Sequence, residues 1–193
     1  MTSAPLILAS SSAARRELLE RLGVPFTTDS PDIDESPQPG EPPEALSLRL
    51  ATSKATAVAA RCPEGAIIIG SDQVAWDGED VLGKPGSVEN AVGQLEHCSG
   101  RAVTFFTAWC VIHDGESRSG LDRTEVEFRA LTRPEIERYV QADEPLACAG
   151  AFKAESLGIS LFRAIRSTDP TALIGLPLIT VSAALRDFGL KLP

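Results

Sequence analysis

The chain of 193 residues has no long hydrophobic run. Its longest apolar stretches, PLILA and GAIIIG, fall far short of the ~20 residues that cross a bilayer, and the N-terminus lacks the basic start and apolar core of a signal peptide. A cytoplasmic protein that does not engage membranes is expected. Positive charge is also scarce, with 18 Lys and Arg against 27 Asp and Glu and a formal net charge of −9. Such a surface repels a phosphodiester backbone and excludes a general nucleic-acid binder. Any phosphate site must be a local concentration of cations. Cys62, Cys98, Cys110 and Cys148 are dispersed with no C-x-x-C pair, and His97 and His113 offer no zinc spacing, so reduced, buried thiols are expected. The glycines of a Walker loop and a G-x-S-x-G elbow are both missing.

What is present suffices for a core. Hydrophobic residues make up 43% of the chain, enough for one domain over residues 1–193, read as two lobes around a cleft. The pattern predicts strands near 5–10, 66–71, 101–113, 121–130 and 158–165. Helices are expected at 13–22, 43–61, 87–98, 132–142, 170–174 and 177–188, with a hairpin-like piece through WDGED. Alternating helices and strands interrupted by the DGESRSG hairpin indicate an α/β protein with a mixed β-sheet flanked by helices. The segment SPDIDESPQPGEPP, with five prolines, reads as a site loop rather than a domain boundary.

Three groups of residues carry candidate chemistry. In LILASSSAARRELLERLG, an apolar strand and three serines lead into a helix whose first turns hold Arg15 and Arg16. Arginines there oppose the helix dipole, so they require a partner. A turn with free N–H groups, the Ser10 and Ser12 hydroxyls and Arg15 forms an anion site, whereas Arg16 reads equally as a surface residue pairing with Glu17 or Glu20. The second group is acidic: Asp32, Asp34 and Glu35 in the proline-rich loop, and Asp72 after the apolar run IIIGS. Asp72 is expected at the C-terminal tip of a buried strand, able to hold Mg²⁺ or deprotonate water, and Asp32 and Asp34 as solvated loop residues. The third group is Lys54, Lys84 and Lys153, each in small-residue surroundings and suited to phosphate oxygens. Glu155, two residues after Lys153, shares its face if that segment is extended. Together these pieces predict hydrolysis of a phosphoanhydride by positioning and charge neutralisation, with Glu35 and Asp72 as metal ligands and no covalent intermediate.

At seven places in order, from LILASSSAARRELLERLG through DIDES, RLATSKA, IIGSDQV, LGKPGSVENA and CAGAFKAE to DPTALIGLPL, the sequence resembles the Maf family of nucleoside triphosphate pyrophosphatases. The resemblance implies an elongated α/β fold with a central cleft, a homodimer, and hydrolysis of a nucleotide to its monophosphate and diphosphate with a divalent cation, Mg²⁺ or Mn²⁺. By position it carries over Arg15, Glu35, Lys54, Asp72 and Lys84 as functional residues, with Asp72 as the proton acceptor and Ser10 and Ser12 in the phosphate-binding turn. SDQ and FKAE look like the branch that hydrolyses 7-methyl-GTP; the branch acting on dTTP and UTP tends to have threonine after the aspartate.

A cationic N7-methylated guanine suits a carboxylate at Glu155, with Gln73 adding an amide. Ala14 departs from the branch, standing where a bulky aromatic would stack on the cationic base, so Trp76, Phe152 or another ring would have to substitute or selectivity falls. Ala151 replaces a common serine, a change expected to matter less. The alternatives are a dTTP/UTP or broader modified-nucleotide pyrophosphatase, and a nucleotide-binding regulator of septum formation with little hydrolysis.

Overall fold

A computed structural model describes residues 4–193. Among them five α-helices and seven strands form a mixed sheet ordered β2-β1-β3-β5-β6-β7, with β4 paired to β3. The strands are β1 (Leu6–Ala9), β2 (Thr27–Thr28), β3 (Ile67–Trp76), β4 (Val81–Leu82), β5 (Ala102–His113), β6 (Glu116–Phe128) and β7 (Phe162–Arg166). The helices are α1 (Ala13–Glu20), α2 (Pro43–Ala59), α3 (Val88–Cys98), α4 (Arg133–Asp143) and α5 (Leu178–Asp187). β1 runs parallel to β2 and β3, while the β3–β4 and β6–β7 pairs are antiparallel. No helix among the described residues is long and apolar enough to cross a membrane.

The chain divides into two compact units. The first comprises the chain to Asp72 with Thr107–Asp122 and Asp169–Pro193, and the second Gln73–Phe106 with Arg123–Thr168. In the first unit, alternation along β1 and β3 buries both faces of the sheet. Leu6, Leu8, Ile67 and Ile69 join Leu18 and Leu19 of α1 and Val181 and Leu185 of α5. Ile7, Ala9 and Ile68 face Ala55 and Val58 of α2. The second unit packs α3 against α4. α4 begins with a capping box in which Thr132 and Glu135 satisfy each other's backbone N–H groups.

Several expectations needed correction. β3 does not end with its apolar run but continues to Trp76, so Asp72 sits mid-strand rather than at a tip. β6 begins at Glu116, five residues before the expected start, because the hairpin turn is only Asp114–Gly115. The segment 157–161 is a 3₁₀ helix, and β7 starts only at Phe162. Residues 154–156 form a turn, so Lys153 and Glu155 do not lie on an extended strand. The four cysteines are unpaired, and only Cys98 and Cys110 are fully buried. Burial pushes the Cys98 thiol up to about 12.

Candidate active site

The serine turn between β1 and α1 is organised by its own hydroxyls. Ser12 is the N-cap of α1, its Oγ accepting the Arg15 N–H at 3.4 Å, and Ser10 Oγ accepts the Ser12 N–H at 3.1 Å. Arg15 Nε donates to the Gly175 carbonyl at 2.8 Å, and its terminal nitrogen reaches Ser10 Oγ at 3.5 Å. Among the described residues no carboxylate lies within ion-pair distance of Arg15. Burial pulls its pKa below the usual guanidinium range, and the more distant charges of Asp72 and Glu35 oppose that shift. A half-buried cation without a contacting counter-ion gains most from an incoming anion. Arg16, by contrast, forms an exposed 3.1 Å pair with Glu20, as its surface reading anticipated.

α2 supplies Lys54, whose Nζ lies 2.6 Å from Asp72 Oδ1 on β3 and 2.9 Å from Glu35 Oε1 in the proline-rich loop. Lys54 and Asp72 are buried; Glu35 is about half exposed, its side chain 54% accessible. The approach of α2 to β3 depends on Gly70. A Cβ there would lie 2.2 Å from the Ala51 carbonyl oxygen and 2.7 Å from the Ala55 nitrogen. Two carboxylates thus converge on the Lys54 ammonium, and a pair of carboxylates is the share of a Mg²⁺ site that a protein commonly provides when substrate phosphates supply the rest. The residues fit such an ion, although no cluster of three or more His, Cys, Asp or Glu side chains suited to a metal occurs among the described residues.

Three contributors to this cluster were not anticipated as functional residues. Gly70 stands two residues before Asp72. Ser71 Oγ lies within hydrogen-bonding distance of the carbonyls of Ala108 (2.8 Å) and Gly175 (2.9 Å). Gly175, at φ 126°, presents its carbonyl to both Arg15 and Ser71 from a backbone conformation that favours glycine. The loop that places it is locked by Asp169. Asp169 Oδ1 accepts the Thr171 N–H at 2.8 Å, and its Oδ2 accepts the Ile179 N–H at 2.7 Å at the start of α5. The signal in the sequence was the small residues of GSD and the D-P-T spacing, which gain meaning only once the chain has brought them together.

In the second unit, Lys84 sits in the segment between β4 and α3, whose carbonyls on either side of it are held by α3. Asn90 Nδ2 donates to the Pro85 carbonyl at 2.9 Å, and Gln94 Nε2 to the Gly83 carbonyl at 3.1 Å. Glu155, exposed in the 154–156 turn, is bracketed by two anchored neighbours. The Lys153 N–H donates to the Tyr139 hydroxyl at 3.0 Å and its ammonium to the Asp143 carbonyl, while Ser156 Oγ donates to Asp143 Oδ1 at 2.7 Å. Cys148 lies among these charges. Burial raises its thiol, Glu155 and Asp143 add to the rise, and Lys153 and Lys84 oppose it.

The aromatic expectation divides. Phe152 is buried among Phe105, Phe128 and Phe162 with ring centroids 4.7 to 5.7 Å away, so its ring is occupied by the core, whereas Trp76 is half-buried beside Phe106. Ala14 is half-buried in the first turn of α1, and Gln73 is half-buried on β3 directly after Asp72. Ala151 adopts a left-handed φ of 59°, a conformation that costs a residue with a side chain about 1 kcal/mol or more.

The family profile described as Maf-like protein matches residues 5–188. A 7-methyl-GTP pyrophosphatase from Xanthomonas oryzae pv. oryzae (strain MAFF 311018) is 57% identical over 97% of this chain and 98% of its own length. Another from Bordetella parapertussis is 55% identical over 96% of this chain and 92% of its own. A solved HAM1 protein from Coxiella burnetii aligns over 95% of this chain and 99% of its own at 15% identity, with a TM-score of 0.46. The match of the family profile to nearly the whole chain, together with relatives more than half identical, makes this protein a member of the Maf family.

Proposed function

We propose that this protein hydrolyses 7-methyl-GTP to 7-methyl-GMP and diphosphate. The observation that carries the reading is Arg15: a desolvated guanidinium with no contacting carboxylate, organised by the same serine turn that offers backbone and hydroxyl groups to an anion. It belongs to the same unit as the Lys54–Asp72–Glu35 cluster. Phosphate oxygens would repay the desolvation of Arg15. The names of the two close relatives support the substrate.

In this reading Ser10, Ser12 and Arg15 bind phosphate, and Lys54 and Lys84 neutralise developing negative charge. Asp72, oriented by Lys54, accepts the proton of the attacking water, whose oxygen bonds to phosphorus as the phosphoanhydride bond breaks and diphosphate leaves. A divalent cation, Mg²⁺ or Mn²⁺, would be held by Asp72 and Glu35, where it would supply charge neutralisation at the phosphates. Glu155 and Gln73 read the cationic base, and Lys153 fixes the Glu155 turn through Asp143.

Incubating the purified protein with a panel of nucleoside triphosphates and either metal tests the proposal. Diphosphate release fastest from 7-methyl-GTP is expected. Activity confined to dTTP and UTP, or tight nucleotide binding in calorimetry without diphosphate release, would overturn it.

A further inference from the structure

Glu35 is held in place by contacts that its own side chain does not make. More than half of that side chain is exposed, it belongs to a loop without regular structure, and among the described residues its one ion pair is to Lys54. Both flanks are nevertheless fixed. Asp34 Oδ1 accepts the Ser36 N–H at 2.9 Å, and the Ser36 carbonyl accepts a hydrogen bond from Arg49 at 2.9 Å. The same guanidinium grips Glu41 in a two-pronged pair, at 2.6 Å from Nε and 2.8 Å from the terminal nitrogen. Glu41 in turn accepts the Gln38 N–H at 3.0 Å, so Arg49 holds the loop at both Ser36 and Glu41.

Arg49 and Lys54 lie five residues apart on α2, about 7.5 Å along the helix axis. One rigid helix therefore carries both the ammonium that Glu35 meets and the clamp that holds the Glu35 loop. A planar guanidinium can serve a carboxylate and a carbonyl together; a lysine ammonium cannot reproduce that fork. The Glu41 side chain is only 7% accessible, so the pair is shielded from water in a way that a surface pair is not.

We propose that Arg49, through Glu41 and the Ser36 carbonyl, is a positioning residue for catalysis that holds Glu35 at the Lys54–Asp72 pair and itself touches no substrate. The inference rests on the proposed role of Glu35.

The test is a double-mutant cycle on diphosphate release from 7-methyl-GTP, using Arg49→Lys, Glu41→Gln and Glu35→Gln. Arg49→Lys keeps charge and helix propensity. It is expected to lower kcat about 10-fold with little change in KM, because misplacing a catalytic group costs turnover more than binding. Glu41→Gln should act in the same direction. In the Glu35→Gln background, Arg49→Lys should change kcat by less than about twofold, since linked residues are not additive. An equal loss in both backgrounds would show that Arg49 does not act through Glu35 and would overturn the inference alone. Unchanged kcat in Glu35→Gln by itself would instead remove the proposed role of Glu35, and the inference with it.

Discussion

Lys54 Nζ and Asp72 Oδ1 are 2.6 Å apart, with both side chains at most 10% accessible. The pair joins α2 to β3, and its two members depend on each other unequally. Removing the ammonium leaves a buried carboxylate uncompensated, which costs about 3 to 5 kcal/mol. Lys54→Met is therefore expected to destabilise the protein strongly as well as inactivate it. Asp72→Asn keeps volume and hydrogen bonding but removes the proposed base. It should lower turnover by about 100-fold or more with a far smaller loss of stability. Thermal unfolding and diphosphate release measured on both variants check this. Equal destabilisation by the two, or near-normal turnover in Asp72→Asn, would contradict the assigned roles.

Gly70 sets the distance that the Lys54–Asp72 pair spans. A methyl group there would enter the Ala51 carbonyl, which is backbone and cannot swing away. Gly70→Ala must push α2 off β3. A cost of about 1 to 3 kcal/mol is expected from overpacking, and activity should fall as Lys54 is carried away from Asp72. Thermal melts together with kcat measure both effects, and an unchanged Tm would show that the helix does not pack as closely as described.

How much of this was legible in the sequence depends on the range of the interaction. The order of helices and strands followed from local periodicity; Arg15, Lys54 and Asp72 stood out by charge in small or apolar surroundings, and Glu35 as one of an acidic group in the proline-rich loop that matches the family motif. The structure brings these four into one unit. The misreadings arise where context outweighs the local pattern. β3 carries Asp72 and Gln73 in its interior because neighbouring strands, not apolar residues, decide where a strand stops. Phe152, a candidate stacking ring in the sequence, is consumed by three other rings whose positions no local spacing reveals. Gly70, Ser71, Gly175 and Arg49 lie within motifs that the sequence displays, but they act through contacts between distant segments, such as that of Arg49 with Ser36 thirteen positions away, so local pattern did not single them out.

Acid stability offers a test independent of activity. Arg49 and the Gln38 N–H hold Glu41 down at about 2 from an ordinary 4.5, and Thr132 and Arg129 hold Glu135 at about 2 as well. Both are depressed in the folded state, so the unfolded chain binds the extra protons first. Their stabilisation is complete above pH 4.5 and is lost as pH falls from there towards 2. The Tm of the wild-type protein should fall through this window, and Glu41→Gln and Glu135→Gln should each fall less steeply. Parallel curves for wild type and variants would refute the assignment.

Glu155 provides the sharpest test of substrate choice. Its turn is anchored on either side by Lys153 and Ser156, which bond to Tyr139 and Asp143 of α4, so a change of the Glu155 side chain should leave the backbone in place. N7-methylation gives guanine a positive charge, and a carboxylate accepting from that base makes a charge-assisted hydrogen bond that an amide cannot match. Glu155→Gln is therefore expected to reduce kcat/KM for 7-methyl-GTP relative to GTP by about 10-fold, the size of one hydrogen bond to a charged group. The melting temperature should stay close to that of wild type, because Glu155 makes no hydrogen bond or ion pair among the described residues. Competition between the two nucleotides in one reaction, followed by chromatography of the monophosphates, measures the ratio directly. An unchanged ratio would show that the carboxylate does not read the charge on the base, and selectivity would then have to come from elsewhere in the protein.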